Sequence, residues 1–222
     1  MTVPLRRDAQ RNRDLLIAAA RAAFAVQGLE APLDDIARRA GVGNATLYRH
    51  FPTRAALVDA VFEGALAGTT AAGEEARGAE DAWAGLTGYL DVVFTVLAAD
   101  RGTNDLMTTG IEGIRSLDAV HAHNRETVEL LLTRAQRQGT VRADVTTEDL
   151  LLALAALGRA VPALAATVAD GWRRHLALFL DGLRTSGPAG PLPGPPLSPA
   201  QLAEVLGGLG PHRADRPRTH AP

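Results

Sequence analysis

Apolar residues recur every three or four positions along most of this chain. Leu16, Ala20 and Phe24 follow one another at four-residue spacing, with Leu15, Ala19 and Ala23 beside them, and Gly28 ends the run. Leu33, Ile36, Ala37 and Ala40 form a shorter stripe that stops at Gly41. Beyond Pro52, a further stripe takes in Leu57, Val58, Val61, Phe62, Ala65 and Leu66. Residues 81–99, 117–138, 147–161 and 169–184 each read as a long helix. No run of four or more residues alternates as a β-strand would. The pattern predicts an all-α fold.

Two stretches interrupt it. Residues 69–80 are small and polar and read as a loop between an N-terminal unit and a longer body. Residues 187–199 hold six prolines in thirteen positions, which excludes helix or sheet interior. Beyond them, residues 199–206 have the pattern for one or two amphipathic turns, and the remainder to Pro222 is expected to be disordered. The expected units are residues 1–66, 67–186 and 187–222. No internal repeat interrupts this organisation. The longest apolar run, residues 150–168, is broken by Arg159 and Pro162, so no membrane span is expected. Arg6 and Arg7 have no apolar block behind them, unlike the start of a signal peptide. A soluble cytoplasmic protein is the expectation.

Composition narrows the chemistry. The 222 residues contain no cysteine, and all 23 basic residues are arginine. Without cysteine there are no disulfides, thiol nucleophiles or thiolate metal sites. Without lysine there is no phosphate loop ending in Gly-Lys, no Schiff base and no lysine general base. Serine occurs only at Ser116, Ser186 and Ser198, never within Gly-x-Ser-x-Gly. Glu74, Glu75, Glu80 and Asp81 sit in the polar stretch, where solvated charge is ordinary. His121 and His123 would diverge by about 200° on a helix and so could not share an ion. No enzyme, cofactor or metal is expected.

The formal charge of −2 is unevenly placed. Residues 1–60 carry nine arginines against six acids, residues 61–185 eleven against seventeen, and residues 186–222 three against two. A basic head on an acidic body suggests that only the head meets a polyanion.

Residues 33–51 show how it would do so. A helix-turn-helix needs a small residue where its helices cross, supplied by Ala37, and a turn residue tolerant of positive φ, supplied by Gly41. Ile36, Ala40, Val42 and Leu47 are its inward apolar residues. Asn44 is the candidate N-cap of the second helix, with Gly43 loosening the turn before it. On that second helix Leu47 and Phe51 share the buried face, Ala45 and Arg49 point the other way, and Thr46 and Tyr48 flank them. The exposed set combines phosphate donors, a guanidinium able to fork onto guanine and a methyl suited to thymine. Tyr48 could instead be a half-buried packing aromatic. For His50 packing and phosphate contact stand level, and an isolated Arg54 reads as solvated charge.

These residues carry a resemblance. Leu15, Leu16, Ala19, Ala20, Phe24 and Gly28, then Asp35-Ile36-Ala37 and Ala40-Gly41-Val42, then Ala45-Thr46-Leu47-Tyr48-Arg49-His50-Phe51, and finally Arg54, Leu57 and Val58, follow a shared pattern. Through them residues 11–66 resemble the DNA-binding head of the TetR family of bacterial transcriptional regulators. The resemblance implies a three-helix helix-turn-helix head followed by a helical ligand-binding and dimerisation body. It implies that Thr46, Tyr48 and His50 contact the DNA backbone, that Asn44, Ala45 and Arg49 face base edges, and that Arg54 binds phosphate. Two departures stand out. Many members have Ser or Thr where Gly43 stands, and Thr where Pro32-Leu33 stands, so two hydroxyl caps are missing. Pro32 can still open a helix. Arg6, Arg7, Arg11 and Arg13 could track the backbone as an N-terminal arm or be ordinary surface charge.

In the body, residues 150–157 are apolar nearly all round, which requires burial on several sides. The resemblance implies that the last two helices pair with their copies in a homodimer, through Leu154, Leu157, Trp172, Leu176, Phe179, Leu180 and Leu183. It also implies a small-molecule pocket, for which Trp83, Tyr89, Phe94, Met107, His121 and Asn124 are candidates, with ordinary packing as the alternative for each. The expected function is a DNA-binding repressor released from a palindromic operator by an organic ligand. A helical binding protein whose head no longer selects a DNA sequence is the alternative that the missing caps leave open.

Overall fold

The computed structural model describes residues 3–99, 101–108, 115–185 and 192–208. Ten helices follow one another along these segments: α1 Val3–Gln27, α2 Leu33–Ala40, α3 Asn44–His50, α4 Arg54–Arg77, α5 Ala82–Ala99, α6 Arg101–Thr108, α7 Arg115–Arg137, α8 Thr147–Thr167, α9 Gly171–Asp181 and α10 Pro199–Gly208. Among the described residues the one β-type pairing is an isolated antiparallel bridge between Val141 and Arg184. The fold is all-α, as the spacing of apolar residues requires.

Two apolar clusters organise the helices. In the head, Leu16, Ala20 and Phe24 of α1 pack with Ile36 and Ala37 of α2, Leu47 of α3, and Leu57, Val61 and Phe62 of α4. Phe24 and Phe62 stack with ring centroids 6.0 Å apart. Leu106 of α6 and Leu117 and Val120 of α7 reach into the same cluster. In the body, Leu86, Tyr89, Leu90 and Phe94 of α5 pack with Leu131, Leu132 and Ala135 of α7, Leu150 and Val161 of α8, and Trp172 and Leu176 of α9.

Residues 69–77 are helix, not loop. α4 bends by 52° between Arg54–Glu63 and Ala67–Arg77 and continues to Arg77 along α7. Thr69 and Ala76 are buried there, and Arg77 Nε donates to Thr127 Oγ1 on α7 at 2.9 Å. The end of α4 is then capped from α7: Arg134 Nη1 donates to Arg77 O at 2.7 Å, and Arg134 Nη2 to Ala79 O. A cation on the last carbonyls satisfies groups that a helix end leaves open. Gln138 clamps the corner, donating to Glu80 O at 2.8 Å and accepting from Ala82 N at 3.0 Å. Partners distant in sequence thus override the weak local pattern.

Three other expectations change. α6 is an element the apolar spacing did not reveal, and α8 runs on through Pro162 to Thr167. α5 and α8 are both long and apolar enough to cross a membrane by length and composition, contrary to the expectation of none. Both are packed into the bundle here, α5 burying seven residues and α8 four. Part of the tail is helical, in keeping with the amphipathic turns expected over residues 199–206. Ser198 and Gln201 cap the start of α10 reciprocally, and Leu202 is buried. Residues 209–222, expected to be disordered, lie outside the described residues.

Asp144 anchors the chain that leads to α10. Its Oδ2 accepts from Arg142 Nη2 at 2.8 Å and from Leu192 N at 3.1 Å. The Arg142 hydrogen bonds hold its carboxyl at about 2, below the ordinary 3.8. A depressed carboxylate pKa stabilises the folded form above its unfolded value, and this contribution is lost as pH falls from near 4 toward 2. Acidification through that window is therefore expected to loosen residues 192–208 before the bundle, read as faster peptide-level hydrogen exchange. Asp144→Asn should show the same exchange at neutral pH.

Candidate nucleic-acid interface

The head's turn is set by local backbone chemistry. Gly41 ends α2 with φ 70° and ψ 26°, the left-handed conformation that glycine adopts without steric cost. Gly41 N donates to Arg38 O at 3.2 Å and Val42 N to Ala37 O at 3.1 Å. These are the two bonds that close a helix in a Schellman motif. Val42 then packs half-buried on the head cluster, which fixes where the chain re-enters α3. The cap of α3 is Gly43, extended at φ −75° and ψ 153°, and not Asn44. Thr46 N and Leu47 N reach Gly43 O at 2.9 and 3.2 Å. With no side-chain cap at either Pro32 or Gly43, both missing hydroxyls are replaced by backbone bonds alone.

Asn44 is thereby free to act elsewhere. It is the first residue of α3, exposed, and its Nδ2 donates to Asp34 Oδ1 at 2.8 Å. Asp34 so ties the starts of α2 and α3 together and orients the Asn44 amide. Along α3 the two faces separate cleanly. Leu47 and Phe51 are buried in the head cluster. Ala45 and Arg49 are exposed, Tyr48 is 49% exposed, and Thr46 is half-buried. His50 is half-buried, its ring tilted against Phe51 at 6.4 Å, with Nε2 enclosed and without a hydrogen-bond partner among the described residues.

Arg54 has partners within the head. Its Nη1 donates to Leu29 O at 2.6 Å and Ala31 O at 2.7 Å. Both residues belong to the buried link from α1 to α2, so this guanidinium holds the head together from within. Arg6, Arg7, Arg11 and Arg13 all lie on α1, which begins at Val3. Arg7 and Arg11 are exposed on that helix, and Arg13 lies over the Phe51 ring at 5.5 Å. Among the head's cations, Arg38 is paired with Asp35 at 2.6 Å, and Arg21 donates to Val61 O at 2.9 Å. Beside the end of α3, Arg13, His50 and Phe51 border a cleft of about 630 Å³ together with Asp59 and Glu63. Those two carboxylates make the cleft unsuited to phosphate.

The body candidates pair with different neighbours. Trp83 is half-buried beside the Arg184 guanidinium, 5.9 Å from its ring. Tyr89 is buried and its hydroxyl donates to Asn124 Oδ1. Burial pushes the Tyr89 hydroxyl above the usual phenol range, so it remains a protonated donor. Phe94 packs on Trp172 at 5.8 Å, Met107 touches both clusters, and His121 is exposed on α7. None of the six borders the head cleft or a second cleft of about 460 Å³ between residues 142–150, α9 and the proline-rich strap.

The interface stripe is likewise turned inward. Leu154, Trp172, Leu176, Leu180 and Leu183 are 9% exposed or less within their own chain, so they have almost no surface left to give a partner. Leu157 and Phe179 are half-buried against the same cluster. What α8 turns outward includes Ala156, Ala160, Ala163 and Ala166, and α9 exposes Arg173, Arg174, His175, Ala177 and Asp181 beside Leu178 at 60%. Periodicity alone missed the polar seam between α4 and α7 as well. There Arg77 reaches Thr127 and the His123 carbonyl, and Glu74 approaches His123 Nδ1 at 3.5 Å. The four-residue spacing of His123 and Thr127 was its only signal.

Comparison with known proteins agrees with this architecture. Residues 16–61 match the family model of bacterial regulatory proteins of the tetR family, and residues 79–185 match that of the SbtR-like transcriptional regulator C-terminal domain. A TetR transcription regulatory protein from Mycobacterium vanbaalenii is 36% identical, covering 82% of this chain and 100% of its own, with a TM-score of 0.47. SmeT, the repressor of a multidrug efflux pump of Stenotrophomonas maltophilia, is 20% identical over 84% of this chain and 97% of its own, with a TM-score of 0.58. A gamma-butyrolactone receptor is 22% identical over 80% of this chain and 90% of its own, with a TM-score of 0.59. A search of curated proteins found no match. With one family model matching the head, another the body, and a 36% identical relative matched over its whole length, the chain belongs to the TetR family of bacterial transcriptional regulators.

Proposed function

We propose that this regulator is a cytoplasmic repressor that binds a palindromic operator as a homodimer and leaves it when a small organic molecule binds the body. The observation that carries the reading is the division of α3, with Ala45, Tyr48 and Arg49 facing solvent while Leu47 and Phe51 anchor its other side. A donor-rich outer face on a helix rigidly held from behind is what major-groove reading needs. α3 has seven residues and can meet only a few base pairs, so a two-fold pair of heads is needed for useful selectivity. The outward Ala156, Ala160 and Ala163 of α8 would let a second copy approach closely, and Leu178 of α9 would gain burial from it. Release by a ligand then requires only that the ligand prefer a different head spacing. SmeT and the gamma-butyrolactone receptor, which share the fold, are named for repression and for small-molecule reception. Those roles favour the same reading here. The protein's role is binding, not turnover.

Selection of duplexes from a random-sequence pool tests it. The expected product is an inverted repeat bound by an even number of protomers, with an affinity that falls steeply as salt is raised because released counterions drive binding. Recovery of sequences without two-fold symmetry, or binding indifferent to salt, would contradict the proposal. A screen of small organic molecules against the selected duplex then identifies the releasing class.

A further inference from the structure

Pro162 stands in the interior of α8 and has no N–H to give the carbonyl four residues back, at Gly158. Gly158 is buried, and a buried carbonyl without a partner is destabilising. Its partner comes from another helix: Asn104 Nδ2 on α6 donates to Gly158 O at 2.8 Å. Asn104 is only 2% exposed, so a whole amide lies in the core at this contact. Gly158 lets the two helices come this close. A Cβ added there would stand 3.2 Å from Thr108 Cγ2 and 3.4 Å from Leu97 Cδ1. Thr108 Oγ1 in turn donates to Asn104 O at 2.8 Å and closes the last turn of α6.

The other side of α6 belongs to the head. Leu106 lies about 200° round the helix from Asn104 and is fully buried in the head cluster. Asp105 packs against Gly28 at the end of α1, where an added Cβ would collide with its carboxylate. We infer that Asn104 is a positioning residue that latches the DNA-reading head to α8, making from α6 the hydrogen bond that Pro162 cannot make within α8. Any shift of α8 is then carried to α1 through one hydrogen bond and the packed Leu106. The functional side of this inference rests on the head binding DNA; the bond itself does not.

Three variants of the full chain test it: Asn104→Ala, Pro162→Ala and the double variant. Thermal midpoint is measured alongside affinity for a duplex selected by the wild-type chain, at a temperature where all four proteins are folded. Asn104→Ala should lower the midpoint and weaken binding by about tenfold, a typical coupling between distant sites. Pro162→Ala should leave the affinity at the wild-type value, because Asn104 remains. In the double variant the backbone N–H restored by Pro162→Ala serves Gly158 within α8, so the midpoint should recover while the affinity stays low. Affinity that recovers with the midpoint would make Asn104 merely structural and overturn the latch, as would an Asn104→Ala variant unchanged in both. A wild-type chain that selects no duplex would refute the DNA reading instead. Amide exchange over residues 16–24 then replaces affinity: faster exchange in the double variant supports the latch, and wild-type exchange overturns it.

Discussion

Arg54→Ala is expected to destabilise the head by about 3 kcal/mol or more, seen as a lower urea midpoint with the slope unchanged. Two carbonyls account for this figure. Leu29 O and Ala31 O both accept from Arg54 Nη1, and hydrogen bonds from a charged donor contribute about 1.5–3 kcal/mol each. Both residues are nearly inaccessible to water, Leu29 at 3% and Ala31 at 2% exposure. Water therefore cannot replace the guanidinium without opening the link between α1 and α2. Arg54→Lys should recover only part of the loss, because the lysine nitrogen stands one bond short of the Nη1 position. A midpoint that does not move, together with lost DNA affinity, would instead return Arg54 to the phosphate contact that its family resemblance implies.

That case shows where sequence was informative and where it was not. The helix-turn-helix is legible because its determinants are local. Gly41 can adopt positive φ, Ala37 lies where the helices cross, and the alternation of Leu47 and Phe51 with Ala45 and Arg49 separates two faces over one turn of helix. Arg54 belongs to the same motif, yet its partners lie 25 and 23 residues away, beyond the reach of spacing arguments. The same limit explains residues 69–77. Their composition is that of a loop, and they are helical because Thr127, Arg134 and His123 of α7 supply what local propensity does not. α6 escaped notice for another reason. Its eight residues bury Gly102, Thr103 and Asn104 beside a single leucine, so no apolar stripe marks it.

The body illustrates a different ambiguity. A stripe such as Trp172, Leu176, Leu180 and Leu183 has the same periodicity whether it faces its own core or a second copy of the chain. In this chain α8 and α5 pack against it and bury it in the chain's own core. The polar and aromatic residues of the body are similarly accounted for by neighbours: Asn124 by Tyr89, Phe94 by Trp172, Trp83 by Arg184. The absence of lysine, by contrast, keeps its meaning in three dimensions. Every cationic side chain facing DNA must be arginine or protonated histidine. With Arg54, Arg21 and Arg38 engaged within the head, Arg49 is the arginine on the exposed face of α3.

The double substitution of Tyr48 and Arg49 by alanine tests this account most directly. Affinity for the wild-type-selected duplex and for an unrelated duplex would be read by fluorescence anisotropy, alongside thermal unfolding. A bidentate arginine–base contact is worth about 1–3 kcal/mol, and a dimer makes it twice, so the loss on the selected duplex should be about a hundredfold or more. Both side chains are exposed, so the unfolding midpoint should stay at the wild-type value, and binding to the unrelated duplex should fall far less. Undiminished affinity of a folded double variant for the selected duplex would contradict the assignment of α3 as the surface that reads DNA.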